Sequence, residues 1–131
     1  MNLFLLVLAG LMAVAVVACG GGATEIYVGK SVSGTITASD ANEEGWSSQP
    51  YVITVREGLE YFIQLSSTSG NTVAVWSTDA DDYIVEVNSG VIARTVAYTF
   101  SESGPQELFL RSPDSDVPSP FTFKVWAPTG S

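Results

Sequence analysis

The sequence contains no histidine and a single cysteine, Cys19. Histidine is the commonest general base and metal ligand, so its absence excludes Ser-His-Asp and Cys-His catalysis in their usual forms. A structural zinc site, which needs several Cys or His ligands, is excluded for the same reason. A single thiol cannot form an internal disulfide, and we expect a domain that is held together by its core alone.

Positive charge is also scarce, because five Lys and Arg residues stand against 14 Asp and Glu residues and give a net charge of −9. An acidic surface repels phosphate backbones and gains nothing from counterion release, so we expect no nucleic-acid partner. Anionic lipid headgroups repel the same surface. Any attachment to a membrane must therefore come from an apolar element.

The longest apolar run, residues 3–18, contains no charged side chain. A spanning helix needs about 20 apolar residues to cross roughly 30 Å of hydrocarbon. Sixteen residues at 1.5 Å each reach only about 24 Å. The run therefore favours a helical signal peptide over residues 1–18. Met1-Asn2 lacks the usual basic residue, and a plain secretory signal or an uncleaved anchor are the alternatives.

The end of this run, Val16-Val17-Ala18-Cys19, resembles the lipobox of bacterial lipoproteins. The resemblance implies cleavage between Ala18 and Cys19, a diacylglyceryl group on the Cys19 thiol, and a further acyl chain such as palmitate on the new amine. Each buried CH₂ contributes about 0.8 kcal/mol, so two or three chains would hold the protein on a membrane. Residues 19–24 then form a Gly-rich tether, and the expected location is the bacterial cell envelope, outside the cytoplasm.

The remainder, residues 25–131, has the length of one domain and no helical period. Apolar side chains alternate with polar ones, and turn residues recur at intervals of roughly eight to twelve positions. This pattern predicts an all-β fold, a single antiparallel β-sandwich of about eight strands. We expect a polar loop at residues 40–49 around Trp46, and Tyr27 and Val28 are candidates for an edge strand. The predicted inward sets are Val32 and Ile36; Tyr51, Ile53 and Val55; Tyr61, Ile63 and Leu65; Val73 and Val75; Tyr83, Val85 and Val87; Ile92, Val96, Tyr98 and Phe100; Leu108 and Leu110; Phe121, Phe123 and Val125.

The order of strands and turns resembles the bacterial pre-peptidase C-terminal domain. The motifs that carry the resemblance are Gly34-Thr35-Ile36, Tyr51-Val52-Ile53-Thr54-Val55, Gly58, Tyr61-Phe62-Ile63-Gln64-Leu65, Phe100-Ser101-Glu102-Ser103-Gly104 and Phe121-Thr122-Phe123-Lys124-Val125. The resemblance implies a sandwich of jelly-roll type that serves secreted proteins as a non-catalytic accessory module, sometimes in contact with polysaccharide. It supplies no catalytic residue, and we expect no enzyme activity.

Four large aromatic side chains have the parity of outward-facing residues: Phe62, Trp76, Phe109 and Trp126. Exposed rings on a sheet can stack on sugars or dock a protein. They can equally pack under loops or on one another.

The densest acidic cluster is Asp79, Asp81 and Asp82. Oxygen-rich loops can bind Ca²⁺, so a weak calcium site is possible here, although a solvated hairpin tip is the commoner structure for such a sequence. We expect no other cofactor. Pairs of Asp and Glu could hydrolyse a glycosidic bond only if a cleft brought two carboxyl groups together.

Three functions therefore follow as hypotheses. The first is a lipid-anchored, non-catalytic binding module that contacts polysaccharide. The second is a protein-binding lipoprotein that acts as an accessory subunit of an envelope complex. The third, a small hydrolase that uses paired carboxylates, belongs to a different class.

Overall fold

Two β-sheets packed face to face make up the computed structural model, which describes residues 22–128. Its strands are β1 (Thr24–Ile26), β2 (Ser31–Ile36), β3 (Ala41–Glu43), β4 (Trp46–Val55), β5 (Glu60–Ser67), β6 (Val73–Ser77), β7 (Asp82–Val87), β8 (Ala93–Thr99), β9 (Gly104–Pro113) and β10 (Ser119–Trp126). Within that range no helix is long and apolar enough to cross a membrane. The predicted signal peptide, its cleavage site and Cys19 lie outside the described residues.

Sheet A has the strand order β1-β4-β9-β6-β7, with β3 also paired to β4, and sheet B has the order β2-β10-β5-β8. The all-β sandwich predicted from the sequence is thus confirmed. One pairing differs from the prediction, since β1 runs parallel to β4. The reason is the turn at residues 27–30, which carries the chain from sheet A to sheet B, so that β1 and β2 cannot form a hairpin.

The core lies between the sheets and is built by the predicted alternation. Eleven apolar side chains of β4, β5, β9 and β10 point into this core and are at most 7% exposed. These are Tyr51, Ile53, Val55, Tyr61, Ile63, Leu65, Leu108, Leu110, Phe121, Phe123 and Val125. Apolar burial of this kind is the main favourable term in folding, and here no disulfide supplements it within residues 22–128.

Several predicted elements are wrong in detail. Residues 40–49 are not a loop, because β3 and the first part of β4 occupy them. Trp46 begins a ten-residue ladder against β9, so long-range pairing outweighs the polar local composition. The edge strand is Thr24–Ile26 rather than Tyr27 and Val28, and the described residues hold ten strands rather than about eight. Ile92 precedes β8 and is 56% exposed instead of buried.

Candidate binding face

Side chains from four strands meet on the outer surface of sheet A. Trp76 of β6 and Phe109 of β9 are cross-strand partners, and their ring centroids are 5.9 Å apart with a 60° angle between the planes. Trp46 of β4 lies 5.4 Å from Tyr83 of β7 with an angle of 36°. We call these four rings, together with Arg111 of β9, the aromatic–arginine face. All five side chains are partly buried.

Arg111 stands at the centre of the aromatic–arginine face. Its guanidinium carbon is 5.0 Å from the ring centroid of Trp76, 5.5 Å from that of Phe109 and 5.8 Å from that of Tyr83. The guanidinium Nη1 also donates a hydrogen bond of 3.3 Å to the Tyr83 hydroxyl. A cation over an aromatic ring contributes about 0.5–1 kcal/mol at an exposed site and more when desolvated. Arg111 therefore holds the surrounding rings in one arrangement.

The rings cover the sheet beneath them. Ser48 of β4 and Ala74 of β6 are the two cross-strand neighbours of Arg111. Although alternation directs both toward the outer surface, Ser48 is only 4% exposed and Ala74 is fully buried. The Ser48 hydroxyl is buried and has no hydrogen-bond partner among residues 22–128. Burying a hydroxyl without a hydrogen bond costs free energy. The packing of the rings over Ser48 must offset that cost.

A β-bulge brings Tyr83 to this face. Val75 pairs with Val85, whereas its neighbour Trp76 pairs with Tyr83, so Ile84 is an extra residue in β7. A bulge of this kind re-aims the side chains on one side of it. The sequence predicts Tyr83 on the inward side with Val85, and this is wrong for the reason that the bulge reverses its direction.

The four aromatic residues predicted to face outward form two separate pairs. Trp76 and Phe109 belong to the aromatic–arginine face. Phe62 of β5 and Trp126 of β10 pair on the outer surface of sheet B, with centroids 5.7 Å apart and an angle of 37°. The Lys124 Nζ lies 5.3 Å from the Trp126 ring centroid. The two pairs are on opposite sides of the sandwich, so they cannot form one platform.

Sequence reasoning missed three members of the aromatic–arginine face: Trp46, Tyr83 and Arg111. Arg111 has the parity of Phe109, two residues before it in the chain, and this signal could have identified it. The sequence predicts a loop around Trp46 and the inward side of the strand for Tyr83, and both predictions are wrong. No local pattern reveals either position, because both depend on which strands are neighbours.

The three residues of the acidic cluster, Asp79, Asp81 and Asp82, lie in different environments. The Asp79 carboxylate accepts a 2.6 Å hydrogen bond from the Tyr98 hydroxyl and further bonds from the Ser101 hydroxyl and backbone N–H. The bonds from Ser101 and then from Tyr98 hold the pKa of Asp79 below its ordinary value. Asp81 and Asp82 are exposed. No group of three or more His, Cys, Asp or Glu that could hold a metal ion occurs in the described part of the chain.

Two grooves accompany the sheets, and neither brings two carboxylates together. One, of about 400 Å³, lies between the edge strands β7 and β8, and Glu86 is the one acidic residue in its lining. The other, of about 310 Å³, is lined mainly by apolar residues that include Val28, Leu59 and Ala127, with Arg56 as its charged residue. Glycoside hydrolysis needs a pair of carboxyl groups across one cleft. Neither of these two grooves provides one.

No family model matches this sequence, and no curated protein matches it. Solved structures do match the fold. The pre-peptidase C-terminal domain of collagenase from Bacillus anthracis has a TM-score of 0.57 and 13% sequence identity, over 82% of this chain and 98% of that domain. A periplasmic inhibitor of g-type lysozyme from Aeromonas hydrophila has a TM-score of 0.52 and 13% identity, over 79% of this chain and 96% of the inhibitor.

One of these neighbours is a domain of a collagenase, and the other is a lysozyme inhibitor. At 13% identity, the similarity of these structures to the chain shows a shared fold. That fold is the one which the strand and turn motifs of the sequence predict. The chain therefore has the β-sandwich fold of the pre-peptidase C-terminal domain.

Proposed function

We propose that this chain is a lipid-anchored module of the bacterial cell envelope that binds a partner outside the cytoplasm without catalysing a reaction. The observation that carries the proposal is the aromatic–arginine face. The lipid on Cys19 would hold the module on the membrane, and the face would make the contact. The likeness of fold to a periplasmic inhibitor supports this location.

The composition of the face supports binding. Trp, Tyr and Arg are the residues most enriched among those that carry the energy of protein–protein contacts. Here Trp46, Trp76, Tyr83 and Arg111 lie together on an outer surface instead of in the core. Contacts with Arg111 hold the rings in place before any partner arrives, which lowers the entropy lost on binding.

The geometry of the rings favours a protein as the partner. Trp76 and Phe109 are inclined by 60° and surround a cation, which gives an uneven surface with a charged centre. Protein interfaces accommodate such relief through complementary shape. The similarly folded inhibitor acts on a protein, a lysozyme, and this likeness supports the same class of partner.

A polysaccharide is the second candidate. The supporting observation is that Trp76 and Phe109 lie side by side on an open strand surface and remain partly exposed. Sugar rings can stack on aromatic faces presented in this way.

Paired variants on the two outer surfaces test the proposal. In one, Trp76→Ala and Phe109→Ala remove two of the four rings of the aromatic–arginine face. In the matched control, Phe62→Ala and Trp126→Ala remove the pair on sheet B. Affinity for envelope proteins captured by the purified module should fall about thirtyfold or more in the first variant, the loss expected for a central aromatic contact. Equal capture by both variants would exclude the aromatic–arginine face.

The same proteins decide between the two partners. Intrinsic tryptophan fluorescence is titrated with a panel of cell-wall and plant glycans. A response that disappears with Trp76→Ala and Phe109→Ala would identify a polysaccharide ligand. A flat titration with every glycan, together with a captured protein, identifies a protein partner.

The lipid anchor has its own test. Mass measurement of the mature N-terminus should show a chain that begins at Cys19 and carries two or three acyl chains. Globomycin, which blocks the lipoprotein signal peptidase, should cause the uncleaved form to accumulate. An unmodified Cys19 would refute the anchor.

A further inference from the structure

The β1–β2 turn presents exposed apolar side chains next to the end of β10. Tyr27 is 57% exposed and Val28 is 39% exposed. The Gly29 N–H donates a 2.7 Å hydrogen bond to the Val125 carbonyl, which fixes the turn against β10. Val28 also lines the apolar groove of about 310 Å³. Exposed aromatic and aliphatic side chains beside an apolar groove mark an interaction surface.

Lysines and a tryptophan surround this turn. Lys30 ends it, with its N–H bonded to the Tyr27 carbonyl. Lys124 and Trp126 lie on the neighbouring end of β10, and Lys124 Nζ stands over the Trp126 ring. We call Tyr27, Val28, Lys30, Lys124 and Trp126 the docking corner. Tyr and Trp favour the boundary between hydrocarbon and water, and lysines there extend their ammonium groups to the headgroups.

The charge of the docking corner differs from that of the molecule. Two of the five basic residues lie in it, although the chain as a whole carries −9. Glu25, close to Tyr27, is an opposing carboxylate. Acidic residues lie in the turns at both ends of the sandwich: Asp40, Glu44, Asp114 and Asp116 at the far end, and Glu57, Asp79 and Glu102 at the end of the docking corner. Net charge therefore does not select one end of the sandwich, whereas Lys30 and Lys124 give the docking corner ammonium groups that favour anionic headgroups.

The length of the tether limits which surface can reach a membrane. Gly22 precedes β1, which is held against the middle of β4 by the pairing of Thr24 with Tyr51. Cys19 lies three positions before Gly22. An extended chain spans at most about 3.6 Å per residue, so the two are at most about 11 Å apart. A lipid on Cys19 would therefore keep the β1 edge close to the bilayer.

From these observations we propose that the docking corner rests on the surface of the lipid bilayer that carries the anchor. The inference depends on the proposed lipidation of Cys19 and adds an orientation to it. Tyr27, Val28 and Trp126 enter the headgroup region, and the aromatic–arginine face stays accessible to a partner.

Another exposed apolar residue offers a matched control. Ile92 is 56% exposed, almost the same as Tyr27. It lies next to Ser67, at the far end of β5, since the Ser67 N–H donates to its carbonyl. Trp126 pairs with Phe62 near the start of β5. The two sites are thus equally exposed and lie toward opposite ends of the sandwich.

The test uses the mature lipidated protein in vesicles of phosphatidylcholine and phosphatidylglycerol. Tyr27→Cys and Ile92→Cys are each labelled with an environment-sensitive dye, which is possible because Cys19 is the sole native cysteine. Lipids brominated near the headgroup should quench the dye at position 27 at least about twofold more than the dye at position 92, since interfacial groups are buried about 5–10 Å. Circular dichroism checks folding, and Val28→Cys replaces Tyr27→Cys if that variant does not fold.

The outcomes separate the two proposals. Equal quenching at both positions, or stronger quenching at position 92, would overturn the docking corner when mass measurement shows lipid on Cys19. If the dye labels Cys19 in the unsubstituted protein, the thiol is free, and both the anchor and the orientation fail.

Discussion

Asp79 shows how one side chain can join the two sheets. It lies in the β6–β7 turn of sheet A, whereas Tyr98 is in β8 of sheet B and Ser101 follows that strand. Bonds to the ionised form lower the pKa of Asp79. The pKa of the Tyr98 hydroxyl is raised, first by burial and then by its bond to Asp79. Because the bonds favour the carboxylate, its contribution to stability depends on pH.

Asp79→Asn should lower the free energy of unfolding at pH 7 by about 1 kcal/mol, the usual value of a partly exposed hydrogen bond. The contribution of the carboxylate is complete above its ordinary pKa of 3.8 and is lost as the pH falls through the lowered value in the folded protein. The difference between wild type and variant should therefore shrink below pH 3.8. Urea unfolding at several pH values measures it.

Asp81→Asn is the control for this experiment. Asp81 is exposed and has a φ of 54°, a conformation that asparagine also adopts. Asp81→Asn should not show the loss of stability at pH 7 that is expected for Asp79→Asn. An equal loss of stability in both variants would contradict the assignment of the effect to the Tyr98 and Ser101 bonds.

Gly34 is required by its contact with Phe121. A Cβ at position 34 would lie 3.0 Å from Cζ and 3.3 Å from Cε2 of the Phe121 ring. Since Phe121 is 2% exposed, the ring has little room to move. Gly34→Ala should reduce the free energy of unfolding by about 1–2 kcal/mol, as overpacking does in other cores. If the contact causes this loss, Gly34→Ala should cost less free energy of unfolding in a Phe121→Leu background than in the wild type. An equal cost in both backgrounds would argue against the contact.

At the scale of the strands, the sequence predicts most of the inward-facing residues and few of the neighbours. Alternation is local, so Ile53, Ile63 and Leu110 could be placed in the core from their own segments. Strand pairing is not local: the ladder that includes Trp46 depends on β9, far along the chain. The sequence does not reveal the bulge at Ile84 either, because the spacing of Tyr83 and Val85 fits a regular strand.

For the candidate site, too, the direction of single side chains could be predicted from the sequence, whereas their assembly could not. The outward direction of Trp76 and Phe109 followed from parity within β6 and β9. Their assembly with Trp46, Tyr83 and Arg111 required the order of four strands, which no single segment contains.

The strands should also differ in local stability. β9 is paired on both sides, to β4 over ten residues and to β6. β8 pairs with β5 alone, and most of its side chains are exposed. Opening of an edge strand costs less free energy than opening of a central one. Native-state hydrogen exchange should show the slowest amides at residues 108–110 and faster exchange throughout β8. Comparable rates in the two strands would contradict this order.

At the scale of the whole molecule, the excess of negative charge affects the stability of the folded state. With −9 at neutral pH, exposed carboxylates repel one another in the folded state. Screening at physiological salt acts over about 8 Å, so it weakens this repulsion substantially. The melting temperature should therefore rise as sodium chloride is increased from low to physiological concentration. A sugar at equal osmolality is the control, and a melting temperature that falls with salt would show that attractive charge pairs dominate.

The short pairing between β1 and β4 would have a mechanical consequence if the chain is held at Cys19 by the proposed lipid anchor. A pull on the chain ahead of Gly22 reaches β1 before any other strand, and β1 is joined to β4 through the pairs of Thr24, Glu25 and Ile26. Behind it, the turn at Gly29 is fixed to Val125 and the ten-residue ladder of β4 remains intact. Tension would thus be taken up by detaching a three-residue strand, which lengthens the tether and leaves the binding surface folded.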